Sequence, residues 1–170
     1  YTFLSPEKMA ESFEHEIESS RRAGWIYLIA SHVALALLCA LFLALAKSAV
    51  SFEFAALQLR IADPRTTGVI FLLALAGFGI KIGLFPVHVW LPEAHPAAPS
   101  SISALMSAVL IKAGFYGLFR ICAFGLGTPT IAWGLTFLGL GALSAVLGVL
   151  YALPQNDLQR LPAYSTIENA

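Results

Sequence analysis

Four stretches of this chain, at about 24–46, 69–91, 102–124 and 131–153, are apolar for more than 20 consecutive residues each. About 20 helical residues, at 1.5 Å of rise apiece, cross a hydrocarbon layer of about 30 Å. Inside that layer every backbone polar group must be satisfied within the segment, which leaves helices as the only way to build such runs into the bilayer. Composition agrees. Of 170 residues 58% are hydrophobic and 12% charged, with a mean hydropathy of +0.78, against about 25% charged in ordinary soluble domains. The chain reads as an all-α, polytopic transmembrane helix bundle. Its net formal charge is zero, so no basic surface argues for nucleic acid.

Residues 1–23 form a polar, mixed-charge segment, expected as an interfacial or solvated helix. The partial transmembrane domain then occupies 24–170, with the start of a further helix at 157–170. The links at 47–68, 92–101 and 125–130 carry Pro, Gly or charge, as loops do. The chain begins at Tyr1 and stops inside a helical pattern, and is expected to be an internal piece of a larger membrane domain. The count of Lys and Arg near segment ends is balanced between the two faces, so it does not orient the bundle. Cys39 and Cys122 fall within apolar runs as small core fillers.

Three ionisable side chains stand at similar depth on successive runs. Lys81 lies about 18 Å into the second run, Lys112 about 15 Å into the third, and His32 about 12 Å into the first. A lysine at the centre of a span costs about 2.5–3.5 kcal/mol even on a lenient scale. Its stem of about 6 Å cannot carry the ammonium to the interface from there. Burial favours the neutral amine, and a lysine that can shed its charge can serve in a proton relay. For one isolated lysine the alternative is a structural role against backbone carbonyls or a lipid headgroup. For His32 the alternative is a histidine satisfied within helix packing. None of the four runs contains an acid, so a counter-charge is expected outside them.

The second run is interrupted. Pro86 has no N–H and its ring clashes with the carbonyl of Ile82, while Gly79 and Gly83 loosen the same turn. Broken helices at membrane depth occur where backbone lines a cavity, so a discontinuous helix with water beside Lys81 is expected. A plain packing kink is the alternative. Past the break, His88, Glu93 and His95 come in quick succession among prolines. Their spacing fits no compact zinc motif, and a role in helping protons enter, or in bonding loop backbone, is expected instead. The fourth run has Gly134, Gly141, Ala145 and Gly148 at spacings that permit close helix contact, and reads as packing.

The stretch KIGLFPVHVWLPEAHPAAPSSISALMSAVLIKAGFYGLFRI, residues 81–121, resembles the signature region of the antiporter-like proton-translocating membrane subunits. That family includes subunits of respiratory complex I, Mrp-type cation/proton antiporters, and membrane subunits of formate hydrogenlyase and related group 4 hydrogenases. The tail NDLQRLPAYSTIEN is similar to the family segment that follows, though Pro154 and Pro162 depart from its usual pattern. PEAHPAAPSSISALMS and STIEN look more like the hydrogenase-linked branch than the quinone-reducing one. The resemblance implies that Lys81 and Lys112 belong to a polar chain across the membrane domain. It also implies that the glutamate pairing with Lys81 lies on a helix upstream.

The function this implies is proton translocation, through buried lysines and water, in a complex-I-like NADH:quinone oxidoreductase or a group 4 hydrogenase assembly. The subunit itself would be non-redox and without cofactor or metal. Its partners would be the lipid bilayer and other membrane and peripheral subunits of a redox-driven complex, in the cell's inner membrane. The alternatives are a stand-alone Mrp-type cation/proton antiporter module, with sodium as a possible coupled ion, and a non-conducting structural fragment.

Overall fold

A computed structural model of the chain describes residues 5–48, 64–126 and 130–153. The expected helix at 157–170, with Pro154 and Pro162, lies outside the described residues. Among those described, all regular structure is helical, in six α-helices with two π-helical turns. Helix α1 spans Pro6–Ser48, α2 Pro64–Ile82, α3 Trp90–Ala97, α4 Ser100–Leu105, α5 Ile111–Arg120 and α6 Ile131–Ala152. π-Helical turns at Met106–Leu110 and Ile121–Gly125 follow α4 and α5 directly, so 100–125 is one helical rod. Four helical stretches are long and apolar enough to cross a membrane: Glu7–Lys47, Pro64–Ile82, Ser101–Ala123 and Ile131–Ala152. They overlap the four apolar runs.

Two boundaries differ from the sequence reading, each for a local reason. Nothing in the polar tract 6–22 breaks a helix after Pro6, so it continues without interruption into the first apolar run. The result is one rod of 43 residues, about 65 Å long. Helix α2 starts at Pro64, a residue suited to a first helical turn because it has no N–H to leave unpaired. It ends at Ile82, ahead of Pro86.

Helix α2 sits between α1 and α5 and carries the largest share of enclosed residues, with Ile70, Phe71, Ala74 and Ile82 buried. They join Leu41 and Leu45 of α1, Leu91 of α3 and Ile111 and Leu118 of α5 in one core. Close approach needs small residues. A methyl group on Gly77 would stand 3.0 Å from Leu38 Cδ2, and one on Gly117 would overlap the Phe78 ring. Much of the outward surface is apolar, including Leu72, Phe115, Phe119 and Leu138. In a bilayer such side chains are solvated by lipid tails, and van der Waals fit rather than water exclusion holds the spans together.

Helix α6 packs with Ser144 and Gly148 buried, but not through all of the small residues expected to mediate it. A methyl group on Gly134 or Gly141 would meet nothing within 4 Å, so these glycines do not mediate close contact within the described residues. The helix is tied in by aromatic rings instead. Trp133 stacks on Phe71 at 4.9 Å and 7°, and Phe137 meets the same ring edge-on at 5.5 Å. The second tie is a hydroxyl, Ser144, described below.

Candidate functional site: the interrupted helix at Lys81

Gly83 ends α2. It has φ of +85°, a left-handed conformation that only glycine adopts without strain. Its N–H and that of Leu84 both donate to the Gly79 carbonyl, at 2.9 and 3.0 Å. The second of these is the six-to-one bond of a left-handed helix cap, and Leu84 folds back towards Gly79 as such caps require. In such a cap the next carbonyl, Ile80's, often takes the glycine N–H. Here it accepts instead from the Trp90 indole N–H at 2.7 Å. The Phe85 N–H donates to Ser144 Oγ of α6 at 3.0 Å, and Ser144 is fully buried. The Phe85–Pro86 peptide is cis. Proline was expected to cause the interruption by freeing the Ile82 carbonyl. The helix has already ended three residues earlier, at a glycine, and Pro86 lies within the connection to α3.

Lys81 is half-buried in the last turn of α2. It borders a cavity of about 10 Å³ closed by Tyr27, Ser31 and Ala34 of α1, Trp90 of α3 and Leu110. That is close to the smallest space that holds one water molecule. The Ser31 hydroxyl and the Tyr27 side chain give it polar edges, and Tyr27 also packs on Trp90 with ring centroids 5.5 Å apart. So the last turn of α2, at Ile80 and Lys81, and the tryptophan that caps it border one small space against α1.

Lys112 is placed differently. Two residues on, a methyl group on Gly114 would lie 3.4 Å from Lys81 Cβ and 3.1 Å from Ile82 Cγ1. Helix α5 therefore touches α2 at Lys81 through Gly114. Residues two apart on a helix are about 200° apart round its axis, so Lys112 falls on the opposite flank and is exposed. His32 is exposed as well, and its Nδ1–H donates to the Leu28 carbonyl at 2.8 Å. Neither lines the cavity. Within the described residues Lys81 is half-buried, while Lys112 and His32 are exposed.

The three residues after the break go to separate places. His88 is half-buried with its ring 5.4 Å from that of Phe85, and its Nδ1 is enclosed without a hydrogen-bond partner among the described residues. His95 is 3% exposed. Its Nδ1 shares a hydrogen bond with the Ser103 hydroxyl of α4, while Nε2 is enclosed with no partner among the described residues. Burial pushes the His95 imidazole below its ordinary 6.5. Glu93 opens on a wide polar cleft formed with His15, Glu18, Arg21 and Arg22 of α1. This puts the α3–α4 link on the same side of the bundle as the start of α1. Among the described residues no three His, Cys, Asp or Glu side chains stand close enough to hold a metal ion.

Trp90 and Ser144 were missed by the sequence reading. Each carried a signal: a buried indole N–H needs an acceptor, and a hydroxyl in an otherwise apolar span needs a partner.

Comparison with known proteins follows the same geometry. Hydrogenase-4 component B of Escherichia coli K12 is 43% identical over 155 residues, covering 89% of this chain and 23% of its own. Formate hydrogenlyase subunit 3 of the same organism is 38% identical over 122 residues, covering 69% of this chain and 20% of its own. The chain thus spans about a quarter of the length of the curated relatives it matches. Among solved structures, the archaeal membrane-bound sulfane sulfur reductase complex superposes with a TM-score of 0.78 at 27% identity, over 89% of this chain and 32% of that one. The Mrp complex of Dietzia sp. DQ12-45-1b has the same fold, with a TM-score of 0.78 at 22% identity, over 86% of this chain and 27% of that one. The family described as NADH:quinone oxidoreductase/Mrp antiporter, transmembrane, matches residues 11–170, and this multi-pass membrane chain belongs to it.

Proposed function

We propose that this chain is the part of a membrane subunit that moves protons through the bilayer, with Lys81 as the group that takes up and releases them. The observation that carries the reading is the coincidence of a lysine, a helix end and a water-sized cavity at one point of a membrane span. In lipid, an ammonium needs polar contact. The cavity beside Lys81 provides it through Ser31, Tyr27 and space for one water. A proton leaving Lys81 would pass by water towards Lys112 on the next span. His32 would serve the same relay from α1. On the other side of the break, His88, Glu93 and His95 would bring protons in from the surface cleft. His95 suits that task because its enclosed Nε2 has no hydrogen-bond partner among the described residues and an imidazole can hold or pass on a proton.

The relatives support a redox-driven setting, since they are named as components of a hydrogenase and of formate hydrogenlyase. In such an assembly this chain is the non-redox part, holds no cofactor, and sits in the inner membrane against other membrane and peripheral subunits. The test is Lys81→Met in the full-length protein within its native complex, assayed in inverted vesicles. Proton pumping is expected to be lost while the complex still assembles and still passes electrons. Unchanged pumping would reject the role of Lys81. Sodium-dependent transport in vesicles without any redox partner would instead favour an Mrp-type antiporter.

A further inference from the structure

Helix α1 is longer than a membrane requires. Its apolar part, 24–46, accounts for about 35 Å, and the remaining turns carry the rod roughly 27 Å beyond. Every residue from Glu7 to Arg22 is exposed. At 100° per residue the side chains sort into stripes. Glu7, Glu11, Glu14 and Glu18 share one stripe about 60° wide. Met9, Phe13 and Ile17 form a second, about a third of a turn away. Their side chains are 43%, 63% and 68% exposed. Residues 7–18 hold five glutamates against a single lysine.

Three large apolar side chains in a row on an exposed stretch of helix favour a partner. Two kinds of surface could cover it. Helices that lie on a membrane carry Lys and Arg on their polar face, which anionic headgroups attract. This one carries glutamates, which those headgroups repel, and it continues the axis of a spanning helix rather than lying across it. The charge pattern matches the opposite surface, a protein face on which apolar side chains are flanked by Lys and Arg.

We propose that residues 7–18 are a docking ridge for a basic protein surface outside the bilayer. The apolar stripe supplies the contact, and the glutamate stripe selects the partner and sets its register. The ridge shares His15 and Glu18 with the cleft at Glu93, but a cross-link at Phe13 reads docking and not proton transport, so the failure of one reading is told apart from the failure of the other.

The experiment replaces Phe13 with photoreactive benzoylphenylalanine in the full-length protein, in its native membrane. Adducts are mapped by mass spectrometry. The expected adduct is a peptide of another polypeptide bearing several Lys or Arg. Its yield should fall about tenfold when the four stripe glutamates become lysines, because like charges now face each other. Exchanging the mapped basic residues for glutamate should restore it. A quadruple Glu→Gln variant, which keeps helix propensity, should lose the salt dependence that the parent protein shows. An adduct on phospholipid, on the protein's own chain or on a peptide without basic residues would overturn the proposal. So would an unchanged yield in the lysine variant, or no adduct at all.

Discussion

At the scale of single residues, the sharpest constraint in the molecule is Gly83. Its positive φ excludes a Cβ on backbone grounds alone, at about 1–2 kcal/mol. A methyl group there would also stand 2.6 Å from Leu91 Cδ1. Gly83→Ala should therefore lower the thermal unfolding temperature in detergent by several degrees, whereas Gly24→Ala, which meets open space, should not lower it. His95 gives a prediction in pH. Burial keeps its imidazole neutral by holding its proton affinity below the ordinary 6.5. The unfolded chain then binds the proton more readily than the folded one. Its contribution to stability is complete above about pH 6.5 and is lost as pH falls towards the lower folded value. Thermal stability should decline on going from about pH 7.5 to 5.5, and His95→Gln should flatten that decline. An equal slope in the variant would show that other groups are responsible.

At the scale of elements, the sequence revealed the spans and concealed their ends. Apolar length is a property of a window, and each of the four runs maps onto a spanning helix. The end of α2 depends on the conformation of one glycine, and a glycine inside an apolar run reads the same whether its φ is positive or negative. The reading therefore gave the break to Pro86 and Gly83 together, with the carbonyl freed by Pro86 as its cause, the chemistry that is visible in the letters. Trp90 and Ser144 were hidden for another reason, because their partners are backbone groups at positions 80 and 85 and only the folded chain brings them together. The lysines show the limit of depth as an argument. Counting residues places Lys81 and Lys112 at one level but leaves out rotation about the axis, and rotation sends Lys112 to the outer flank. Two changes test these element contacts. Ser144→Ala leaves a half-buried N–H at Phe85 without its acceptor, a cost of about 1 kcal/mol. Amide exchange in 83–89 should speed up while that in α5 stays as it was. Gly114→Val forces α5 away from Ile82 and Lys81, and should reduce proton transport in the full-length protein without removing either lysine.

For the molecule as a whole, the arrangement fixes which ends share a face. The described residues hold four helices long and apolar enough to cross a membrane, and the cleft joining Glu93 to Arg21 and Arg22 puts the amino-terminal part of α1 beside α3. Cysteines placed at Ser12, Ala97 and Leu153 should react with an impermeant maleimide from one side of sealed vesicles. One at Thr130 should react only from the other side. Labelling of Ala97 and Thr130 from the same face would contradict the fold. The candidate site draws on this whole arrangement, because the segment at 83–89 is anchored in three directions. The Gly79 carbonyl holds it to α2, the Trp90 indole ties α3 back to α2, and Ser144 fastens it to α6. Such a segment behaves as a knot joining three ropes. Sliding α6 along its axis strains the Phe85 bond, and turning α3 strains the Trp90 bond. Turning α3 moves Trp90, which lines the Lys81 cavity, while sliding α6 pulls on Phe85, four residues along the chain from the lysine, so a shift of either helix is felt at the break.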